Sequence, residues 1–184
     1  AGAGSGKTSV LTHRIAYLLG EKNSAPFNIL ALTFTNKAAN EMRQRIEKMI
    51  GPAAKSLWLG TFHSIFLRIL RKEADRLGYP RNFTIYDTDD SRSLLRSIIK
   101  EMNLDDKVYK PNVVFARISS AKNRLITAQT YANNTLYQTD DELARKPRMG
   151  EVFLKYTDRC FKAGAMDFDD LLLNTYQLFN QHLE

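Results

Sequence analysis

The first ten residues, AGAGSGKTSV, restrict the possible folds more than any other stretch of the chain. Gly6, Lys7 and Thr8 fill the second half of the phosphate-binding loop pattern G-x-x-x-x-G-K-S/T, while Ala1 stands where its first glycine would be. Gly2, Gly4 and Gly6 leave a backbone free enough to curl its N–H groups around phosphate oxygens. Lys7 supplies a point charge for terminal phosphates, and the Thr8 hydroxyl suits Mg²⁺. Such a loop feeds a helix whose N-terminus favours the anion. Val10, Leu11, Ile15, Leu18 and Leu19 recur at helical spacing as far as Gly20, so a helix is predicted directly after the loop. A buried strand belongs ahead of the loop, and a chain that opens inside it reads as a fragment.

The pattern that follows alternates strand and helix. Asn28–Phe34 reads as a short buried strand, and Ala38, Ala39, Met42, Ile46, Met49 and Ile50 mark a helix from about Asn36 to Gly51-Pro52. Leu57–Gly60 is a second strand, Ile65, Phe66, Ile69 and Leu70 line the next helix, and Phe83–Tyr86 is a third strand. This order implies a parallel sheet covered by helices. From Asp87 to about Ala165 no strand is expected. Leu94, Leu95, Ile98, Ile99 and Met102 stripe one helix, with Thr88 as a cap candidate and Asp89 and Asp90 in its first turn. Val113, Val114, Ile118 and Ala121 stripe a second, and Met149–Ala163 a third, with only a short helix and loops expected from Thr127 to Lys146. Met166–Leu173 opens a capped helix running to about Asn180. The expected fold is therefore α/β: a parallel sheet carrying an inserted all-helical subdomain.

With 184 residues, 43% of them hydrophobic, the chain suits one domain or one domain with an insertion. The longest apolar runs, such as Ile29–Leu32, are far too short to span a bilayer. The single Cys160 excludes an internal disulfide and provides no metal cluster, which favours a reducing, cytoplasmic setting and a small buried residue. A net charge of +7 favours anionic partners, with the basic residues scattered along helices rather than gathered in a tail.

Ligands of a parallel sheet sit beyond the carboxyl ends of its strands. Thr33-Phe34-Thr35-Asn36-Lys37 and Gly60-Thr61-Phe62-His63-Ser64 fall there, and Asp167-Phe168-Asp169-Asp170 has a similar composition. Rings stack on unpaired bases, while hydroxyl and amide groups contact phosphates. Local roles compete: Thr35, Asn36, Thr61 and Ser64 suit helix caps, and Phe62 shares a core-like face with Ile65, Phe66 and Ile69. Asp167, Asp169 and Asp170 resemble a metal-binding cluster, but at a helix N-terminus capping is the favoured reading. Asp87, an acid at a strand end, has the bare form of a Mg²⁺ ligand, yet the helix start after it favours a cap.

Together these residues resemble the superfamily 1 DNA helicases of the UvrD/Rep/PcrA type. AGAGSGKT is similar to that family's first motif, where a leading alanine is usual. ALTFTNKAANEM (Ala31–Met42) resembles motif Ia, LGTFHS (Leu59–Ser64) motif Ib, and MDFDDLL (Met166–Leu172) the segment re-entering the first motor domain. The resemblance implies a RecA-like P-loop NTPase sheet, here incomplete, in residues 1–87, a helical 1B-like insertion in 88–165, and a returning helix in 166–184. It implies ATP-driven 3′ to 5′ translocation on single-stranded DNA with duplex unwinding. Ala3, Gly4, Ser5, Gly6, Lys7, Thr8 and Ser9 would form the nucleotide site, with Lys7 and Thr8 catalytic and Thr8 on Mg²⁺. Phe34, Thr35, Asn36, Thr61, His63 and Phe168 would contact DNA, single-stranded or at a junction with duplex. Ser9 departs from the arginine common in relatives. The family's DExQD motif and second motor domain would lie in the rest of a parent chain, so this monomeric fragment is expected to be inactive alone.

Two other readings use the same residues. A P-loop phosphotransferase would share the loop and sheet, with Arg117 and Arg124 available for an acceptor phosphate. A non-enzymatic DNA-binding module would use Lys122, Arg124, Arg145, Lys146 and Arg148, although most of these suit a solvated face.

Overall fold

The computed structural model describes residues 6–182, which form two compact units divided between Ile65 and Phe66. Both mix helices with a short parallel strand pair.

In the first unit, α1 (Lys7–Gly20) precedes β1 (Leu30–Thr33), α2 (Asn36–Ile50) and β2 (Trp58–Thr61). β1 and β2 pair in parallel, residue for residue from Leu30 with Trp58 to Thr33 with Thr61. The helical periodicity of α2 works as its spacing demands: Ala39, Met42 and Ile46 are buried on one stripe. They close over Ala31 and Leu59 from the strands, Leu57 just ahead of β2, and Ile15 from α1. Gly51 ends α2 with φ 73°, a conformation that would strain a side chain. Because the two strands finish in register, the chain segments leaving Thr33 and Thr61 emerge side by side.

α3 (Phe62–Glu73) leads into the second unit, which continues through β3 (Thr84–Tyr86), α4 (Thr88–Glu101), α5 (Pro111–Asn123), α6 (Ala128–Ala132), α7 (Thr135–Leu143), α8 (Met149–Lys162), β4 (Ala165–Asp167) and α9 (Phe168–Gln181). Leu95, Ile98, Val114, Ile118, Tyr131, Val152, Phe153 and Tyr156 build a core among α4, α5, α6 and α8. A second core joins Leu70, Ala74, Phe83, Met166, Leu171 and Leu178. β3 and β4 pair in parallel from Thr84 with Ala165 to Tyr86 with Asp167. Parallel neighbours need a long crossover, and here the whole run from α4 to α8 supplies it.

Two sequence expectations change. Among the described residues the strands pair as two two-stranded parallel sheets, β1 with β2 and β3 with β4, where a single sheet was expected. Ala165–Asp167, read from sequence as the approach to a helix, is a fully buried strand. Three residues are too few for a periodic signal, and only pairing with β3 makes them a strand. Of the two cap candidates for α4, Asp87 fills the role: its carboxylate accepts from the Asp89 and Asp90 amides, while the Asp90 carboxylate accepts from the Asp87 amide.

Candidate nucleotide and nucleic-acid site

The phosphate-loop residues Ala1–Ser5, including the candidates Ala3, Gly4 and Ser5, lie outside the described residues, as does the side chain of Lys7. The described part begins at Gly6, whose φ of 75° is left-handed and whose missing Cβ leaves open space. No side chain caps α1 at Gly6, and its first turn holds no acidic residue. An uncapped, acid-free helix start presents its positive dipole end to an anion. α4 and α9 contrast with it, since aspartate boxes occupy both of their N-termini. Thr8 is half-buried, with its carbonyl accepting from Thr12 Oγ1 at 2.7 Å. Ser9 is exposed, and its carbonyl lies 2.8 Å from His13 Nδ1.

At the carboxyl end of β1, Phe34 is 94% exposed. The backbone around it is fixed by short polar links: Thr33 Oγ1 donates to the Thr35 carbonyl at 3.0 Å, and Thr35 Oγ1 caps α2 by accepting from the Ala38 amide at 3.2 Å. Asn36 is the first residue of α2, exposed and not its cap. Across the strand pair, Phe62 places its ring centroid 6.4 Å from that of Phe34, tilted by 51°. Phe62 is 38% exposed, which corrects its reading as core. Thr61 Oγ1 accepts from the Ser64 amide at 3.3 Å and donates to Ser64 Oγ at 3.1 Å, so Thr61 holds the start of α3. His63 is exposed beside it. A cavity of about 270 Å³ lined by Thr8, Leu11, Leu32, Thr33, Phe34, Thr35, Ala38 and Met42 joins the α1 start to the β1 end. The structure thus brings Thr8, Phe34 and Thr35 around one cavity, and Phe34 and Phe62 into one aromatic pair.

Phe168, half exposed, is the first residue of α9. The acids around it do cap: Asp167 Oδ1 accepts from the Asp170 amide at 2.8 Å and Asp170 Oδ2 from the Asp167 amide at 3.0 Å. They also bury a cation. Lys122 of α5, a candidate phosphate contact by sequence, is 1% exposed, with Nζ 2.7 Å from Asp167 Oδ2 and 2.7 Å from Asp170 Oδ1. Tyr156 of α8 donates to Asp167 Oδ2 at 2.8 Å. Burial disfavours the ammonium of Lys122, but the two carboxylates outweigh it and hold its pKa above the usual lysine value. Burial pushes Asp170 up to about 6, while for Asp167 the burial penalty is overcome by the Lys122 charge and the pKa is lowered. Cys160 is buried, and its thiol is pushed up to about 12, chiefly by that burial. Among the described residues no group of three His, Cys, Asp or Glu is placed to hold a metal.

The helicase-type resemblance is met by comparison with known proteins. The model of the UvrD/REP helicase N-terminal domain matches residues 1–184. The chain belongs to that family. It is 48% identical over 181 residues to ATP-dependent DNA helicase PcrA of Bacillus subtilis (strain 168), covering 98% of this chain and 24% of that protein. The PcrA of Staphylococcus aureus (strain Mu50) is 46% identical over 182 residues, and that of Staphylococcus epidermidis 47% over 184, with the same coverage. The chain therefore spans about a quarter of the length of the curated relatives it matches.

Sequence reasoning missed Arg43 and the partners that hold three of the candidate phosphate contacts. Arg43 of α2 donates to the Leu59 carbonyl at 2.7 Å, bracing β2 just before Thr61. Arg117, available by sequence for an acceptor phosphate, donates through Nε to Tyr131 Oη at 2.8 Å and pairs with Asp141 at 3.2 Å. Arg148 is held by Glu151 at 2.7 Å. Nothing in one-dimensional spacing marks Lys122, because its partners are 45 and more residues away.

Proposed function

We propose that this chain is the N-terminal part of an ATP-dependent DNA helicase that moves 3′ to 5′ along single-stranded DNA and unwinds duplex ahead of it. Family membership over the whole chain supports this, as do the relatives named as ATP-dependent DNA helicases. On this reading residues 1–87 belong to a RecA-like motor domain, 88–165 to its helical insertion, and 166–184 to the return into the motor domain. The remainder of a longer chain would complete the ATP site and the DNA track.

The start of α1, from Gly6 on, suits the phosphates of a nucleoside triphosphate carrying Mg²⁺. The α1 start is uncapped and acid-free, and Gly6 adopts the left-handed turn that brings backbone amides towards an anion. Ala3–Ser9 would hold the phosphates, with Lys7 on the terminal ones and Thr8 on the metal. Bound ATP supplies the free energy that drives stepping. Phe34, Thr35, Asn36, Thr61, His63 and Phe168 would contact single-stranded DNA or its junction with duplex. Among the described residues no helix is long and apolar enough to cross a membrane.

Phe34 is the observation that carries the reading. A ring left 94% exposed at the carboxyl end of a strand, beside the open start of α1, contributes little to folding. It offers a stacking surface worth roughly 1–3 kcal/mol per base, strong enough to hold a strand and weak enough to release it. The test is ATP turnover by the full-length protein carrying this chain, with and without a single-stranded oligonucleotide, using Lys7→Ala as control. Strong stimulation by DNA, lost in the variant, is expected. Turnover indifferent to DNA would sink the motor reading and favour phosphate transfer to a small acceptor.

A further inference from the structure

We propose that Lys122 is a positioning residue for Phe168, setting the backbone that presents this ring to DNA. The inference rests on the DNA-contact reading of Phe168. Two consecutive residues at the end of α5 reach all three acids around that ring. Lys122 Nζ bridges Asp167 Oδ2 and Asp170 Oδ1, and Asn123 Nδ2 donates to Asp169 Oδ1 at 2.8 Å. Phe168 lies between two of these tied residues, so its backbone is held on both sides.

Capping alone does not explain this arrangement. α4 begins with the same reciprocal Asp–Asp box, Asp87 with Asp90, yet both acids are exposed and, among the described residues, neither has an ion pair. The α9 box differs by being buried around a lysine and by receiving Tyr156 Oη as well. A buried ion pair is a poor source of net stability, because desolvation offsets attraction. What it does provide is one geometry, since any displacement of the turn leaves a buried charge unpaired. The segment fixed in this way is the one that ends in an exposed aromatic ring.

The experiment is a double-mutant cycle in the full-length protein, reading the single-stranded DNA concentration that gives half-maximal stimulation of ATP turnover. Phe168→Ala should raise that concentration roughly 5- to 150-fold, the equivalent of one lost stacking contact. Lys122→Met and Asn123→Ala should each raise it roughly 2- to 30-fold, with DNA-independent turnover by Asn123→Ala unchanged. Combined with Phe168→Ala, either should add almost nothing, because the ring it positions is gone. If Phe168→Ala leaves DNA affinity intact, the DNA-contact reading fails. If Phe168→Ala weakens binding but the α5 variants do not, or if their effects add in full, the positioning role is overturned. Asn123→Ala decides the question even where Lys122→Met fails to fold, since Asn123 is exposed.

Discussion

Replacing Lys122 by methionine keeps most of the buried volume and removes only the charge. It leaves the side chains of Asp167 and Asp170, 2% and 7% exposed, facing each other without a counter-ion. Breaking a buried pair in this way costs about 3–5 kcal/mol. A second route gives the same scale. At least one carboxyl must then be neutral in the folded state, and protonating a group whose ordinary value is 3.8 costs about 1.4 kcal/mol for each pH unit above it. That is about 5 kcal/mol at pH 7.5 and about 2 kcal/mol at pH 5.5. The sign follows from proton uptake: carboxyls raised above their unfolded value bind more protons when folded, so stability rises as pH falls towards that value. In the unsubstituted chain Asp170, at about 6, already contributes in this sense, while the lowered Asp167 contributes stability that is lost as pH falls through its folded value, below 3.8. Urea unfolding followed by circular dichroism is the assay. With a slope of about 2 kcal/mol per molar urea, the midpoint should fall by about 2 M at pH 7.5 and by about half that at pH 5.5. Adding Asp170→Asn to Lys122→Met should recover much of the loss. A midpoint change below about 0.5 M at pH 7.5, or an equal change at both pH values, would refute the assignment of Lys122 as the neutralising charge.

Phe34→Ala should leave the urea midpoint unchanged, since the ring is almost wholly exposed, while weakening single-stranded DNA binding by about 1–3 kcal/mol in a fluorescence-anisotropy titration. Tyr131→Phe removes the hydroxyl that donates to Asp141 at 2.9 Å and accepts from Arg117, leaving each one hydrogen bond short while their own pairing at 3.2 Å remains. A loss of about 1–3 kcal/mol in chemical denaturation is expected, and a neutral result would show that water replaces the hydroxyl. Asp87→Ala deletes the α4 cap and should cost about 1 kcal/mol, with Asp87→Ser recovering most of it in the same assay.

Local chemistry made the elements legible. The spacing of Ala39, Met42 and Ile46 defined α2 and its buried stripe, Asp87 marked the start of α4, and the apolar spacing from Val10 to Gly20 marked α1. These signals are carried by residues three or four apart, so backbone hydrogen bonding and side-chain periodicity express them without help from the rest of the chain. The family motifs are equally local, each a run of neighbouring residues, which is why the amino-acid sequence alone carries the resemblance. Long-range pairing was not legible in this way. β4 exists because Ala165–Asp167 meets Thr84–Tyr86, just over eighty residues earlier in the chain, and such a contact leaves no periodic trace in three residues. Lys122 shows the limit most clearly. A lysine in a basic sequence reads as solvent-facing, because burying an ammonium is unfavourable until two carboxylates converge on it. Only the packing of α5 against the β4–α9 turn supplies both, and that convergence is a property of the tertiary structure alone.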